Sequence, residues 1–261
     1  MKSASRSFVT AVLPPIAFFL VMLAAWQASV RLWNIPPFLL PSPTAVGRAA
    51  LENAAKLASA TGLTAAGATA GFGVSLVFGV AVAIVFSQST IIRRSFFPYA
   101  LFFQTVPIVS IAPLIVIWSG TGFRSIVLVA FIVSVFPIIT NATAGLTAID
   151  PDLLDLFRLH GASRWQTLFK LRLPAAVPST VTGAKTSSGL AVIGTIVGEF
   201  FVGYDPSEHS GLGYLIQESN TQFRIDLVLC SVVLATVLAL IVFGTVSLIG
   251  ALVLRRYSQN G

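Results

Sequence analysis

An all-α, polytopic membrane protein with six transmembrane helices is the fold class this sequence predicts, and three observations predict it. Of 261 residues, 56% are hydrophobic and only 10% charged, and the mean hydropathy is +0.90, a composition outside the range of soluble domains. Six apolar stretches each reach the roughly 20 residues a helix needs to cross a bilayer core about 30 Å thick. None shows the sustained alternation of a membrane-barrel strand.

The first stretch runs approximately from Val9 to Val30. Lys2 and Arg6 before it and Ala24, Ala25, Ala28 and Ser29 near its end imitate a signal peptide. Its apolar run is longer than the usual h-region of about 7 to 15 residues, so a retained helix is expected. Residues 1–57 then form an N-terminal helix with an outer interfacial segment. There the prolines of PPFLLPSPTAV precede an alanine-rich run, which predicts extended chain leading into a surface helix.

Residues 58–254 carry the other five stretches. In the second, Thr64 to Phe86, small residues recur every fourth position at Gly67, Gly71, Ser75, Gly79 and Ala83. Such a stripe lets helix backbones approach closely, and packing inside the subunit is favoured over a dimer seam. The third runs from Phe96 to Trp118 and the fourth from Ser125 to Leu146. Pro107, Pro113 and Pro137 are expected to bend or open these helices. The fifth, Pro178 to Phe201, is followed by a segment in which the glycines of SGLGYLIQES are expected to turn the chain into a short interfacial helix. The sixth, Val228 to Leu254, contains the single cysteine, Cys230, read as a packing residue. Residues 255–261 are a tail.

Polar side chains inside the stretches are the candidates for a translocation path: Gln104, Asn141, Lys185, Ser188 and Glu199, with Thr105, Thr140 and Ser187 beside them. Most intramembrane hydroxyls bond their own helix, which favours Gln104 and Asn141. Lys185 and Glu199 are 14 residues apart, about 21 Å along a helix, and cannot pair directly. Snorkelling is expected of Lys185 and an outer-interface position of Glu199; a Lys185 facing the path would favour an anionic substrate.

One long segment is polar. Between Asp150 and Pro174 the chain reads DPDLLDLFRLHGASRWQTLFKLRLP. Asp150 can cap a helix whose first residue is Pro151, with Asp152 and Asp155 favouring its N-terminal dipole. Gly161 interrupts it, Ser163 and Gln166 form a capping-box pattern for a second helix, and Pro174 is expected to end that helix. Trp165, Leu168 and Phe169 fall on one face of it. The first helix carries Leu153, Leu154, Leu156, Phe157 and Leu159, more apolar surface than water favours. It must be covered either by this protein's own helices or by the groove of a partner.

Basic residues set the orientation. With the N-terminus inside, Lys2, Arg6, Arg93, Arg94, Arg158, Arg164, Lys170, Arg172, Arg255 and Arg256 are cytoplasmic, against Arg31, Arg48, Lys56, Arg124 and Arg224 outside. Both termini and the 150–174 loop are then cytoplasmic. The net charge of +7 follows from this topology and implies no nucleic-acid partner, because no basic face interleaved with aromatics occurs.

The loop resembles the coupling loop of ABC importer permeases. Asp155, Gly161, Leu171, Leu173 and Pro174 reproduce the spacing of that family's signature: Glu-Ala-Ala, three residues, Gly, nine residues, Ile-x-Leu-Pro. Asp155 stands for the usual Glu, and Leu156 and Phe157 for the two alanines. The resemblance extends to the nitrate, sulfonate, taurine and thiamine-precursor group through Leu40, Pro41, Ser42 and Pro43. It continues through Gln104, Pro107, Pro113, Leu114, Trp118 and Gly120, and through Glu199 with Gly211, Leu212, Gly213 and Tyr214. A position usually basic in that group is Gly67 here. LFRLHGASRWQ and GLAVIGTIVGEF lean toward the vitamin-precursor branch.

The resemblance implies a type I ABC importer permease fold in a bacterial plasma (inner) membrane. It implies a second permease copy as homodimer partner, ABC ATPase subunits, and a periplasmic or lipid-anchored substrate-binding protein. ATPase coupling falls to Leu153, Leu154, Asp155, Leu156, Phe157, Arg158, His160, Gly161, Ala162 and Ser163. The chain contains no GxxxxGK[ST] phosphate loop, so ATP and Mg are expected on the ATPase, with no cofactor bound here and no enzyme activity of its own. His160 and His209 fall on opposite sides of the membrane and form no common metal site, and no Ser/His/Asp or Cys/His set converges for hydrolysis. The alternative is an ion-coupled secondary transporter or channel, which would need intramembrane relays or an internal repeat and has no use for a coupling loop.

Overall fold

The computed structural model describes residues 2–202 and 210–258, with side chains from 13 to 202 and 210 to 255. His209 and the start of the segment after the fifth stretch lie outside the described residues. The chain divides into two compact units, Met1–Ala58 with Leu215–Val233, and Ser59–Tyr214 with Leu234–Gly261.

In the first unit α1 (Lys2–Leu32) carries Pro14 and Pro15 and is followed by an irregular stretch. α2 (Pro43–Glu52) begins with Pro43 at the position where a missing N–H costs nothing, and the Ser42 hydroxyl accepts from Ala45 N. The Gln27 side chain ties α1 to this turn by accepting from Thr44 N and Thr44 Oγ1, both at 3.3 Å. Lys56 pairs with Glu218 at 2.9 Å, and buried Cys230 donates its thiol to Val46 O at 3.2 Å, a packing role. Phe18, Phe19 and Leu20 of α1 are exposed, as side chains facing lipid tails are.

The second unit is built around α6 (Phe123–Thr147) and α9 (Leu173–Val202). Val129, Ile138 and Leu146 of α6 and Ala191 and Val192 of α9 are fully enclosed. α3 (Ala54–Gln88) lies against α6 along its small-residue stripe. A Cβ on Gly71 would stand 2.5 Å from that of Ala130, and one on Gly79 2.7 Å from Ile138 Cγ2. Between them Ser75 Oγ meets Ser134 Oγ at 2.6 Å. The stripe is packing within the subunit. Gly67 has no room for a long basic side chain, since a Cβ there already meets Thr195 and Ile126 at 3.0 and 3.1 Å.

The third apolar stretch is not one straight crossing. α4 (Thr90–Thr105) and α5 (Ile108–Ser119) meet at an angle of 102°. Pro107 cannot donate to a carbonyl one turn back, so Phe103 O is met instead by Val106 N at 3.3 Å and the helix restarts. Pro113 and Pro137 stay inside their helices.

Among the described residues, four helices are long and apolar enough to cross a membrane: Leu13–Leu32, Ala54–Gln88, Phe123–Thr147 and Ile225–Arg255, the last within α11 (Ile225–Ser258). The α4/α5 pair makes a fifth if it is counted as one span. α9, 30 residues long, would reach about 45 Å, but Lys185, Glu199 and hydroxyls such as Thr182, Ser187 and Ser188 dilute it. Its buried polar positions face protein, which lets a membrane helix carry them.

Candidate coupling surface and translocation path

The segment after α6 folds through local chemistry. Asp150 caps α7 (Pro151–Leu159) by accepting from Asp152 N at 2.9 Å. At the other end Gly161 adopts φ +67°, and Ala162 N reaches back to Phe157 O at 3.0 Å while Gly161 N reaches Arg158 O at 2.9 Å. This left-handed closure favours glycine. Ser163 and Gln166 form the full capping box of α8 (Arg164–Thr167). The first helix, the break at Gly161 and the capped start of the second helix stand as the sequence predicts.

Pro174 does not end the second helix. α8 passes through a π-helical turn, Leu168–Arg172, directly into α9, and Leu173 N bonds Leu168 O, five residues back. Pro174 sits in the first turn of α9, and the wide turn before it relieves the clash of its ring with the preceding carbonyls. The expected apolar face is also divided. Leu168 is buried, whereas Trp165 and Phe169 are exposed and stack with ring centroids 6.1 Å apart.

No residue of α7 is buried. Leu153, Leu156 and Leu159 are 44, 48 and 85% exposed, and Leu154 and Phe157 are half-buried. Leu156, Phe157, His160, Ala162, Gln166 and Lys170 line a cleft of about 380 Å³. His160 Nδ1 lies 2.8 Å from Leu156 O, which holds the imidazole along the helix end. Asp155 pairs with Arg158 at 2.9 Å on the open surface. The interaction is worth little to stability there but orients both groups. Of the two ways to cover the apolar face, this chain's own described helices do not supply one.

The path candidates separate. Gln104 is exposed beside the α4/α5 bend, where backbone groups have lost their helical partners. Asn141, half-buried on α6, donates to Pro137 O at 2.8 Å and packs against Gly183 of α9, where an added Cβ would stand 2.9 Å from Asn141 Cβ. Thr140 and Ser188 bond their own helices, Ser188 to Lys185 O at 2.7 Å. The neighbouring Ser187 hydroxyl is buried without a hydrogen-bond partner among the described residues. Lys185 is half-buried, near Gly250 of α11, and forms no salt bridge among the described residues.

Glu199, three residues before the end of α9, is enclosed by protein. It is 2% exposed and accepts from Thr64 Oγ1 at 2.8 Å and from Gly213 N at 2.7 Å. Thr64 Oγ1 in turn accepts from Leu212 N at 2.9 Å. A side chain on Gly211 would collide with the Glu199 carboxylate, and one on Gly213 with Ile196 O. These glycines permit close approach rather than a turn. The start of α10 (Leu212–Thr221) is thereby fastened to α9 and α3. The sequence signal was a carboxylate in an apolar run; its partner Thr64, 135 positions away, carries no local mark.

Residues 75–258 match the family described as binding-protein-dependent transport system inner membrane component. A riboflavin transport system permease of Chloroflexus aurantiacus is 35% identical over 90% of this chain and 87% of its own. A probable ABC transporter permease of Haemophilus influenzae is 30% identical over 88% and 92%. A formylaminopyrimidine transport permease of Halalkalibacterium halodurans is 29% identical over 81% and 82%. Among solved structures, a chain of the inward-facing MetNI methionine ABC transporter superposes with a TM-score of 0.64 at 17% identity, covering 76% of this chain and 95% of that one.

Proposed function

Because this chain belongs to the binding-protein-dependent transport family and is an ABC transporter permease with the type I fold, we propose that it forms the path of an ATP-driven importer coupled to a separate ATPase through residues 150–174. The uncovered apolar face of α7 between two capped ends carries this reading. It has the form of a helix offered to a groove. Leu153 and Leu156 with Phe157 supply the grip, His160 to Ser163 the stiff hinge, and Leu154, Asp155 and Arg158 the flank. ATP and Mg belong to the ATPase. In this topology α7 and both termini face the cytoplasm of a bacterial cell, two copies of the chain form the pathway, and a periplasmic or lipid-anchored protein delivers substrate. In proteoliposomes, uptake should require an ATPase able to hydrolyse ATP; uptake persisting without any ATPase would replace this reading with an ion-coupled carrier.

The cargo is a small nutrient of the sulfonate, nitrate, taurine or vitamin-precursor type. Relatives named for riboflavin and formylaminopyrimidine transport, aligned over most of both chains, favour the vitamin-precursor type. For the path we propose Gln104, Asn141 and Lys185, because they carry exposed or half-buried polar groups, whereas Ser188 and Glu199 are occupied in helix packing. Losing one substrate hydrogen bond worth about 1 kcal/mol should raise KM about fivefold. Gln104→Ala and Asn141→Ala are therefore expected to shift uptake kinetics with the ATPase still bound, and unchanged kinetics would remove them from the path.

A further inference from the structure

We propose that a second pocket, bounded by Arg158, Arg164 and Arg172 where α3 ends, binds a phosphate-bearing anion, supplied by an anionic phospholipid headgroup or by free phosphate. The pocket holds about 360 Å³ and is closed by Ser87, Gln88 and Thr167. At about 30 Å³ per water, that is room for a phosphate group with several waters. Guanidinium groups match phosphate oxygens through paired N–H donors, which makes three of them around one cavity a specific arrangement.

The charge there is not balanced from within. Asp155 pairs with Arg158, but among the described residues no carboxylate pairs with Arg164 or Arg172. Arg172 spends one N–H on Ser87 O at 2.6 Å, which leaves donors free. Burial, then the fields of Arg158 and Arg93, make its guanidinium easier to deprotonate than an ordinary arginine. An anion in the cavity removes that stress.

Position favours a lipid as the source. Ser87 and Gln88 are the last residues of a helix long and apolar enough to span the membrane, so the pocket lies at the level where headgroups begin. Next to Arg93 on α4, Ile91, Ile92 and Phe96 are exposed and offer apolar surface to acyl chains. In the topology proposed above this is the cytoplasmic leaflet, where basic pockets between helices take anionic headgroups. The site adjoins the cleft of Leu156 and Phe157, with Ala162 lining both.

Native mass spectrometry of the full-length chain tests this, after release from nanodiscs of phosphatidylglycerol or of phosphatidylcholine. Phosphatidylglycerol should be retained and phosphatidylcholine lost. Arg164→Gln, alone and with Arg172→Gln, should cut retention at least fivefold, and Arg164→Lys, which keeps the charge but not the paired N–H donors, should restore only part of it. The single variant keeps the test decisive if the double one folds poorly, because Arg164 is exposed. If free phosphate is the source, inorganic phosphate at millimolar concentration should raise the melting temperature of the lipid-free chain, and Arg164→Gln should abolish the rise. Equal retention of the two lipids without any phosphate-dependent shift overturns the proposal. So does loss of ATPase binding in Arg164→Gln with phosphatidylglycerol retention intact, which would assign the arginines to acidic groups of a protein partner.

Discussion

Replacing Gly161 with valine is expected to reduce uptake at least tenfold while the protein still inserts, and Phe157→Asp should do the same by a different route. At φ +67° a β-branched residue is strained by about 1 to 2 kcal/mol or more. The carbonyls now met by Gly161 N and Ala162 N would lose their partners as the hinge relaxes. α7 would then move independently of α8 and α9, and a force applied to it would be lost in the hinge. Phe157→Asp leaves the hinge intact and puts a charge on the face to be buried in a partner. The cost of burying it unpaired is several kcal/mol, enough to disfavour docking. The two variants are separable: valine at 161 should keep ATPase bound and hydrolysing without transport, whereas aspartate at 157 should lower ATPase association itself. Normal uptake by either variant in proteoliposomes would refute the coupling role of this segment.

The legibility of this segment has a physical cause. Asp150, Pro151, Gly161, Ser163 and Gln166 act on backbone within three or four positions of themselves, so their consequences are written locally. The small-residue stripe of α3 was legible as packing for a related reason, since its period is that of the helix. What was missed depended on more than local pattern. The π turn at Leu168–Arg172 arises where a capped helix is forced to run on into α9 through Pro174, a conflict between two elements that each look complete. The 102° bend exceeds what Pro107 alone requires; the proline marked the place and the packing of α5 against α6 and α9 accompanies the larger turn. Glu199 was recognised as unusual, yet its role depends on Thr64 and on the glycines after residue 210 closing over it.

Glu199→Ala is expected to produce the largest loss of stability of any substitution considered, with Glu199→Gln close to the parent. Alanine would strand Gly213 N in a buried site, leave the Thr64 hydroxyl without its carboxylate partner, and open a void under Leu212, itself fully buried. One orphaned buried donor costs about 1 to 3 kcal/mol, and the void adds to it. A fall in the thermal transition of the purified chain by several degrees should follow, with faster hydrogen exchange at the Leu212 and Gly213 amides. Glutamine can keep its oxygen at the Oε2 position, which accepts from Gly213 N and lies 3.1 Å from Thr64 Oγ1; its amide nitrogen, in place of Oε1, cannot accept from Thr64, but that hydroxyl can still donate to the retained oxygen or to Ala60 O. Its exchange rates should therefore stay near the parent. If alanine and glutamine behave alike in exchange and melting, the carboxylate does not fasten α10. If glutamine instead leaves stability intact but abolishes uptake, the negative charge of Glu199 serves transport directly, and the side chain returns to the path.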